Sequence, residues 1–200
     1  MRRRQAKVRA YTVVEVMVAL AVLTIGTAGV IAMQKSTLLG NTRARDLATA
    51  SAIAATWAER LREDGMQWTS IAGVSSIANT KWLNVVADDF PTVVGSEGVW
   101  IRPAAFQAEG ISPQANVQGL DTITQAEAAY CTNIRLTQLL PTMIRAEIRV
   151  FWLRTLGGGT LDGSALCDDN ANYLAALGAA GTHYHFVYVT TAILRNDANR

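Results

Sequence analysis

The sequence predicts an α+β protein, with one long N-terminal α-helix, apolar in its first half, packed on an antiparallel β-meander head. Three observations predict it. An uncharged apolar run of eighteen residues, Val16 to Met33, follows a basic cluster. An amphipathic helical pattern continues from it, and no proline occurs before Pro91. Beyond Gly65, short apolar runs alternate with Gly, Pro, Asn, Asp and Ser, and the clearest of them repeat with period two. Four segments follow: 1–10, a basic leader; 11–34, the apolar half of the helix; 35–64, its amphipathic half; and 65–200, a β-rich head.

Composition supports an ordered chain. Of 200 residues, 50% are hydrophobic and 17% charged, which is too apolar for disorder. The net charge of +2 is unevenly placed. Arg2, Arg3, Arg4, Lys7 and Arg9 lie in the first ten residues; without them 13 basic residues face 16 acidic ones, a balance of −3. The basic character is therefore that of a short N-terminal tag, and no nucleic-acid partner is expected.

The apolar run has about the minimum length, roughly 18 residues, for a membrane-crossing helix. The basic residues before it favour a cytoplasmic N-terminus. A cleaved secretory signal would need a shorter apolar core and a small-residue cut site after it. Here the chain continues as more helix. A plain signal anchor would explain everything except Glu15, a carboxylate at the start of the run. Such a group pairs, becomes neutral, or snorkels toward water at the membrane boundary.

In the rear half of the helix, Leu47, Ala50, Ala54, Trp57 and Leu61 form an apolar stripe, and Asp64-Gly65 reads as the stop. Read whole, residues 11–64 make a helix roughly 80 Å long at about 1.5 Å per residue. In the head, Lys81–Ala87 and Val99–Ile101 read as weak strands, and Ile123–Tyr130 as a short helix. Cys131–Leu140, Ile144–Arg154 and Tyr184–Leu194 read as better strands. In the second of these, Ile144, Ala146, Ile148, Val150 and Trp152 face one way, and Arg145, Glu147 and Arg149 the other. Leu139–Thr142 and the glycines 157–159 read as connections.

No catalytic constellation emerges, and no enzyme activity or cofactor is expected. The run Gly157–Thr160 lacks the lysine of a phosphate loop and reads as a hairpin turn. His183 and His185 share a strand face but have no third ligand. Asp168–Asn172 starts like a calcium loop, but Tyr173 stands where the turn glycine belongs and no acid closes it. Trp68, Trp82, Trp100 and Trp152 read as core or subunit interface. The two cysteines, Cys131 and Cys167, are free thiols in a reducing compartment or a pair in an exported head.

A basic leader ending in Ala10, then Tyr11-Thr12-Val13-Val14-Glu15 and the apolar run, resembles the N-terminus of type IV pilins and type II secretion pseudopilins. Their usual pattern is glycine, phenylalanine, then Thr-Leu-(Ile/Leu)-Glu; Ala10 and Tyr11 are the two departures. The helix, with Glu-Val-Met-Val-Ala-Leu after the junction and Ala-Glu-Arg-Leu-Arg near its end, is most similar to minor pilins of the PilV type. The resemblance covers residues 1–64. It implies the type IV pilin fold, cleavage by a prepilin peptidase between Ala10 and Tyr11, and methylation of the new Tyr11 amine. It also implies that Glu15 pairs with that amine on a neighbouring subunit. The implied partners are the major pilin, other minor pilins, the pilus assembly platform, a tip adhesin and the inner membrane. The head would be periplasmic before assembly and extracellular, in the pilus, after it. An exported head implies a Cys131–Cys167 disulfide, closing a loop of about 37 residues for roughly 3–4 kcal/mol. The competing readings are a type II secretion minor pseudopilin and, from another class, a signal-anchored periplasmic binding protein.

Overall fold

Without a proline to interrupt it, the N-terminal pattern folds as one helix, α1, Val13–Gln67, of 55 residues. The structure is a computed structural model and describes residues 12–69, 73, 76–85, 94–103, 109–154, 167, 177 and 184–196. The chain divides into two compact units, Met1–Ala44 and Arg45–Arg200. The first contributes apolar helix. The second holds the rear of α1 and an antiparallel sheet.

After α1 come a short helical turn α2 (Trp82–Val85) and five strands: β1 (Glu97–Ile101), β2 (Gln114–Ala115), β3 (Tyr130–Leu140), β4 (Met143–Leu153) and β5 (Tyr184–Leu194). The sheet runs β1-β3-β4-β5, with β2 also on β3, and every pairing is antiparallel. β3 and β4 form a hairpin across Pro141-Thr142, where proline cannot continue a ladder. The fold is therefore α+β, a long apolar N-terminal helix with an antiparallel β head, as type IV pilins have.

The core lies between α1 and one sheet face. The helix contributes Ala50, Ile53, Ala54, Trp57, Ala58 and Leu61; the sheet contributes Ile134, Leu136, Ile144, Ala146, Ile148 and Val150. Leu47, expected in the stripe, is 51% exposed, because the stripe starts one turn later at Ala50. Trp57, Trp68, Trp82 and Trp152 are buried, as core residues should be, whereas Trp100 is half-buried on the far sheet face.

Gly65 does not stop α1, which runs on to Gln67. A Cβ at Gly65 would sit 2.5 Å from the Leu194 carbonyl oxygen, so glycine lets the end of β5 lie against the helix. The Gly65 carbonyl accepts the Asn196 N–H at 3.0 Å, and Asn196 Oδ1 accepts the Thr69 N–H at 2.8 Å. The first of these bonds satisfies a carbonyl that the helix end leaves open. Asp64, also expected at a stop, is 1% exposed and accepts three backbone N–H groups: Lys81 (3.0 Å), Trp82 (2.8 Å) and Leu83 (2.6 Å). Burial pushes its carboxyl pKa up, and the three donors pull against that.

Asp64 also explains why the weak strand expected at Lys81–Ala87 is instead the turn α2. Its carboxylate gathers three successive amides, an arrangement that the first turn of a helix provides. The helix expected at Ile123–Tyr130 shrinks to a 3₁₀ turn, Gln125–Glu127. The Ala129 N–H is drawn to the Ala115 carbonyl at 2.8 Å, and Tyr130 already belongs to β3. The remaining strands stand where the alternation put them, and β5 has the expected bounds.

On the far face of β4, Arg149 points away from the apolar set as expected, and it is 1% exposed. Its guanidinium stacks 4.3 Å from the Trp100 ring centroid and donates to Asn133 Oδ1 at 3.1 Å. The Trp100 and Tyr188 rings meet at 6.2 Å. Beside them lies a second apolar cluster, Ala128, Cys131, Phe151, Cys167 and Leu177. Cys131 and Cys167 are disulfide-bonded, with Cα atoms 5.7 Å apart.

Two outcomes test these contacts. Asp64→Ala strands three buried donors and should lower head stability by roughly 2–4 kcal/mol, read as a lower denaturation midpoint of the detergent-solubilised chain. Reduction of Cys131–Cys167 should cost about 2–4 kcal/mol; an unchanged midpoint with reductant would remove the disulfide from the account.

Candidate functional site

The segment that distinguishes this chain is the start of α1. Val13–Met33 offers nothing of its own to cover its side chains. Val13 is 77% exposed and Ile25 75% exposed. An 18-residue window of the helix has mean hydropathy 2.3 and no residue buried within the chain. By length and composition it can cross a membrane. Its polar groups are already satisfied. The Thr24 hydroxyl donates to the Leu20 and Ala21 carbonyls at 2.9 and 2.8 Å, and that of Thr27 to the Thr24 carbonyl at 3.0 Å. Such internal bonds let a threonine enter hydrocarbon. Gly26 and Gly29 have open space where a Cβ would go, so no contact among the described residues requires them.

Glu15 is the exception in this surface. It lies in the first turn, where the helix N-terminus favours a carboxylate. Its N–H donates to the Thr12 carbonyl at 3.1 Å and lies 3.3 Å from Thr12 Oγ1. Thr12 thus caps the helix, and Thr12-Val13-Val14-Glu15 has the spacing of a capping box. Among the described residues, no ion pair or side-chain hydrogen bond engages the Glu15 carboxylate, which is exposed. The pattern reading had no role for Thr12 as a cap, although the Thr-x-x-Glu spacing signals one. Ala10 and Tyr11 lie outside the described residues.

Residues 5–31 match the family model of the prokaryotic N-terminal methylation motif. The chain carries that motif. The match spans the basic leader from Gln5, the Ala10–Tyr11 junction, Glu15 and most of the apolar run. It supports a type IV pilin or pseudopilin and fits a membrane-anchored subunit of a filament. No curated protein and no solved structure matches the chain.

The remaining sequence candidates are quickly placed. His185 lies on β5 with its ring 5.3 Å from that of Trp152, while His183 lies outside the described residues. So do the glycines 157–159 and Asp168–Asn172. Among the described residues, no group of three or more His, Cys, Asp or Glu could hold a metal.

If Thr12 fixes the helix start, Thr12→Ala should cost about 1 kcal/mol of local helix stability. Amide exchange at Glu15 and Val16 in detergent micelles should speed up accordingly, while the head amides stay unchanged.

Proposed function

We propose that this chain is a minor pilin of the PilV type, which primes and joins type IV pilus assembly, in a complex at the pilus tip. The observation that carries the reading is the methylation motif over residues 5–31, on a helix whose uncovered apolar surface is broken only by Glu15. In this reading a prepilin peptidase cuts between Ala10 and Tyr11 and methylates the Tyr11 amine. The apolar half of α1 then anchors the subunit in the inner membrane, with the head in the periplasm. Later it enters the filament core beside the major pilin and other minor pilins, through the assembly platform and near a tip adhesin.

Glu15 then acts as a register device. A carboxylate in hydrocarbon needs a counter-charge or a proton. The Tyr11 amine of a neighbour supplies one only when the two helices dock with the right axial offset. The role is structural, not catalytic. The same observations fit a minor pseudopilin of type II secretion. Deleting the gene separates the two, since loss of pili supports the first and loss of protein export the second.

Glu15→Ala should leave membrane insertion intact but lower incorporation into shed filaments by tenfold or more, about 1.4 kcal/mol of lost docking at the least. Normal incorporation of the variant would sink the pairing. Ala10→Leu should leave the leader attached, seen as a heavier chain by mass.

A further inference from the structure

We propose that the groove between α1 and the loop at 109–121 holds an extended, neutral peptide segment of a partner protein, through its main-chain carbonyls. The inference does not rest on the pilin reading. The groove has a volume of about 720 Å³, within the range of about 300–1,000 Å³ usual for ligand sites. Its floor is one face of α1, running from Ala48 to Arg60, and its facing wall is formed by the loop at 109–111 and 118–121. Both sides belong to the second compact unit. The floor spans roughly 18 Å at about 1.5 Å per residue, room for about five extended residues at about 3.3 Å each.

Two donors that line this groove lack an acceptor. Trp57 is 1% exposed, yet no group among the described residues accepts its Nε1–H. Arg60 donates from Nη2 to Asp121 at 2.7 Å, but its buried Nη1 has no acceptor. The guanidinium carbon lies 4.8 Å from the Trp57 ring centroid, so the two orphaned groups are neighbours. Donors around them are served. The Thr56 hydroxyl donates to the Ala52 carbonyl at 3.0 Å, and the amides of Gln118, Gly119 and Leu120 all donate to Asn116. Buried donors in folded proteins nearly always meet an acceptor, and here the described residues supply none.

These observations select the occupant. It brings acceptors rather than donors. It is neutral, because the groove's charges are already matched, Arg60 with Asp121 and Lys81 with Glu109. A helix fits poorly, since its carbonyls are bound within it. An extended segment keeps its carbonyls free and matches the length. Ala48 and Ala52, both exposed, leave space above the helix, while Ile53, Ile111 and Leu120 favour small apolar side chains. Both orphaned donors are covered in this structure, so docking includes a shift of the long Arg60 side chain off the Trp57 ring.

The test uses the full chain in detergent micelles. The probe is a blocked pentapeptide, acetyl-Ala-Val-Ala-Val-Ala-amide, which carries carbonyls and no charge. The readout is the indole N–H resonance of Trp57, with the amides of Gln118–Asp121. A saturable downfield shift of the indole proton is expected, together with shifts of the wall amides. Ala52→Leu, at an exposed helix position, fills the groove and should abolish the shifts while leaving the denaturation midpoint close to the parent's. Trp57→Phe keeps an aromatic ring and removes the donor. By the wall amides, it should weaken binding about fivefold, the worth of one hydrogen bond. Glutamate or lysine at the first valine should weaken binding as well. Four results overturn the proposal: no saturable shift, unchanged binding by the Ala52→Leu chain, equal affinity of the Trp57→Phe chain, or equal or tighter binding of a charged peptide. An indole proton already slow to exchange and shifted downfield before peptide is added would assign the donors to water, and also overturn it.

Discussion

The chain is organised around an apolar helix surface that no other described residue covers. From Val16 to Met33 no residue carries a formal charge and none is buried. An isolated surface of that kind is unstable in water at about 25 cal/mol per Å² of apolar area. A bilayer relieves it, and so does a bundle of identical helices. The same eighteen residues can therefore serve a subunit stored in membrane and a subunit packed in a fibre, because both surroundings are apolar. In the proposed assembly, Glu15 is what makes the two differ. In a membrane it is a cost to be tolerated at the boundary, and in the proposed bundle it calls for a counter-charge or a proton. Satisfied Thr24 and Thr27 hydroxyls leave the carboxylate as the one group in Val13–Met33 with such a demand.

The head follows a different logic. Its sheet is buried against α1 on one face and partly roofed on the other. Arg62 links the helix to β5 through Thr191 at 2.8 Å, and Arg60 holds Asp121 at 2.7 Å while stacking on Trp57. The loop bearing Asp121 approaches so closely that a Cβ on Gly119 would meet Thr49 Cγ2 at 2.8 Å, and Gly119 also has φ +82°. Both constraints select glycine. On the far face, the Cys131–Cys167 bond and the cluster with Phe151 tie Cys167 and Leu177 to the sheet.

Much of this was legible because local pattern and tertiary role agreed. β5 alternates cleanly and is bounded as expected, and the pair β3 and β4 is announced by Leu-Pro-Thr between two alternating runs. Residues whose role is set at long range were not legible. Asp64 and Gly65 look like a helix stop, yet one gathers amides from 17 to 19 positions away and the other admits the Leu194 carbonyl. Arg149 alternates outward as a surface charge should, but Trp100 and Tyr188, from the two edge strands, close over it. No local signal separates a solvated arginine from one roofed by distant rings. At the site the balance is reversed. Glu15 was conspicuous because it violates its surroundings, and Thr12 was overlooked because its capping bond looks ordinary.

The most direct test of the account is the mass of the N-terminal peptide from protein recovered from its own cells. The account predicts a peptide that begins at Tyr11 and is heavier by one methyl group, since that cut creates the amine Glu15 is proposed to meet. A peptide beginning at residue 1 or 2 would leave a plain signal anchor, and one beginning beyond residue 30 an ordinary secreted head. Either would contradict the role given to Glu15.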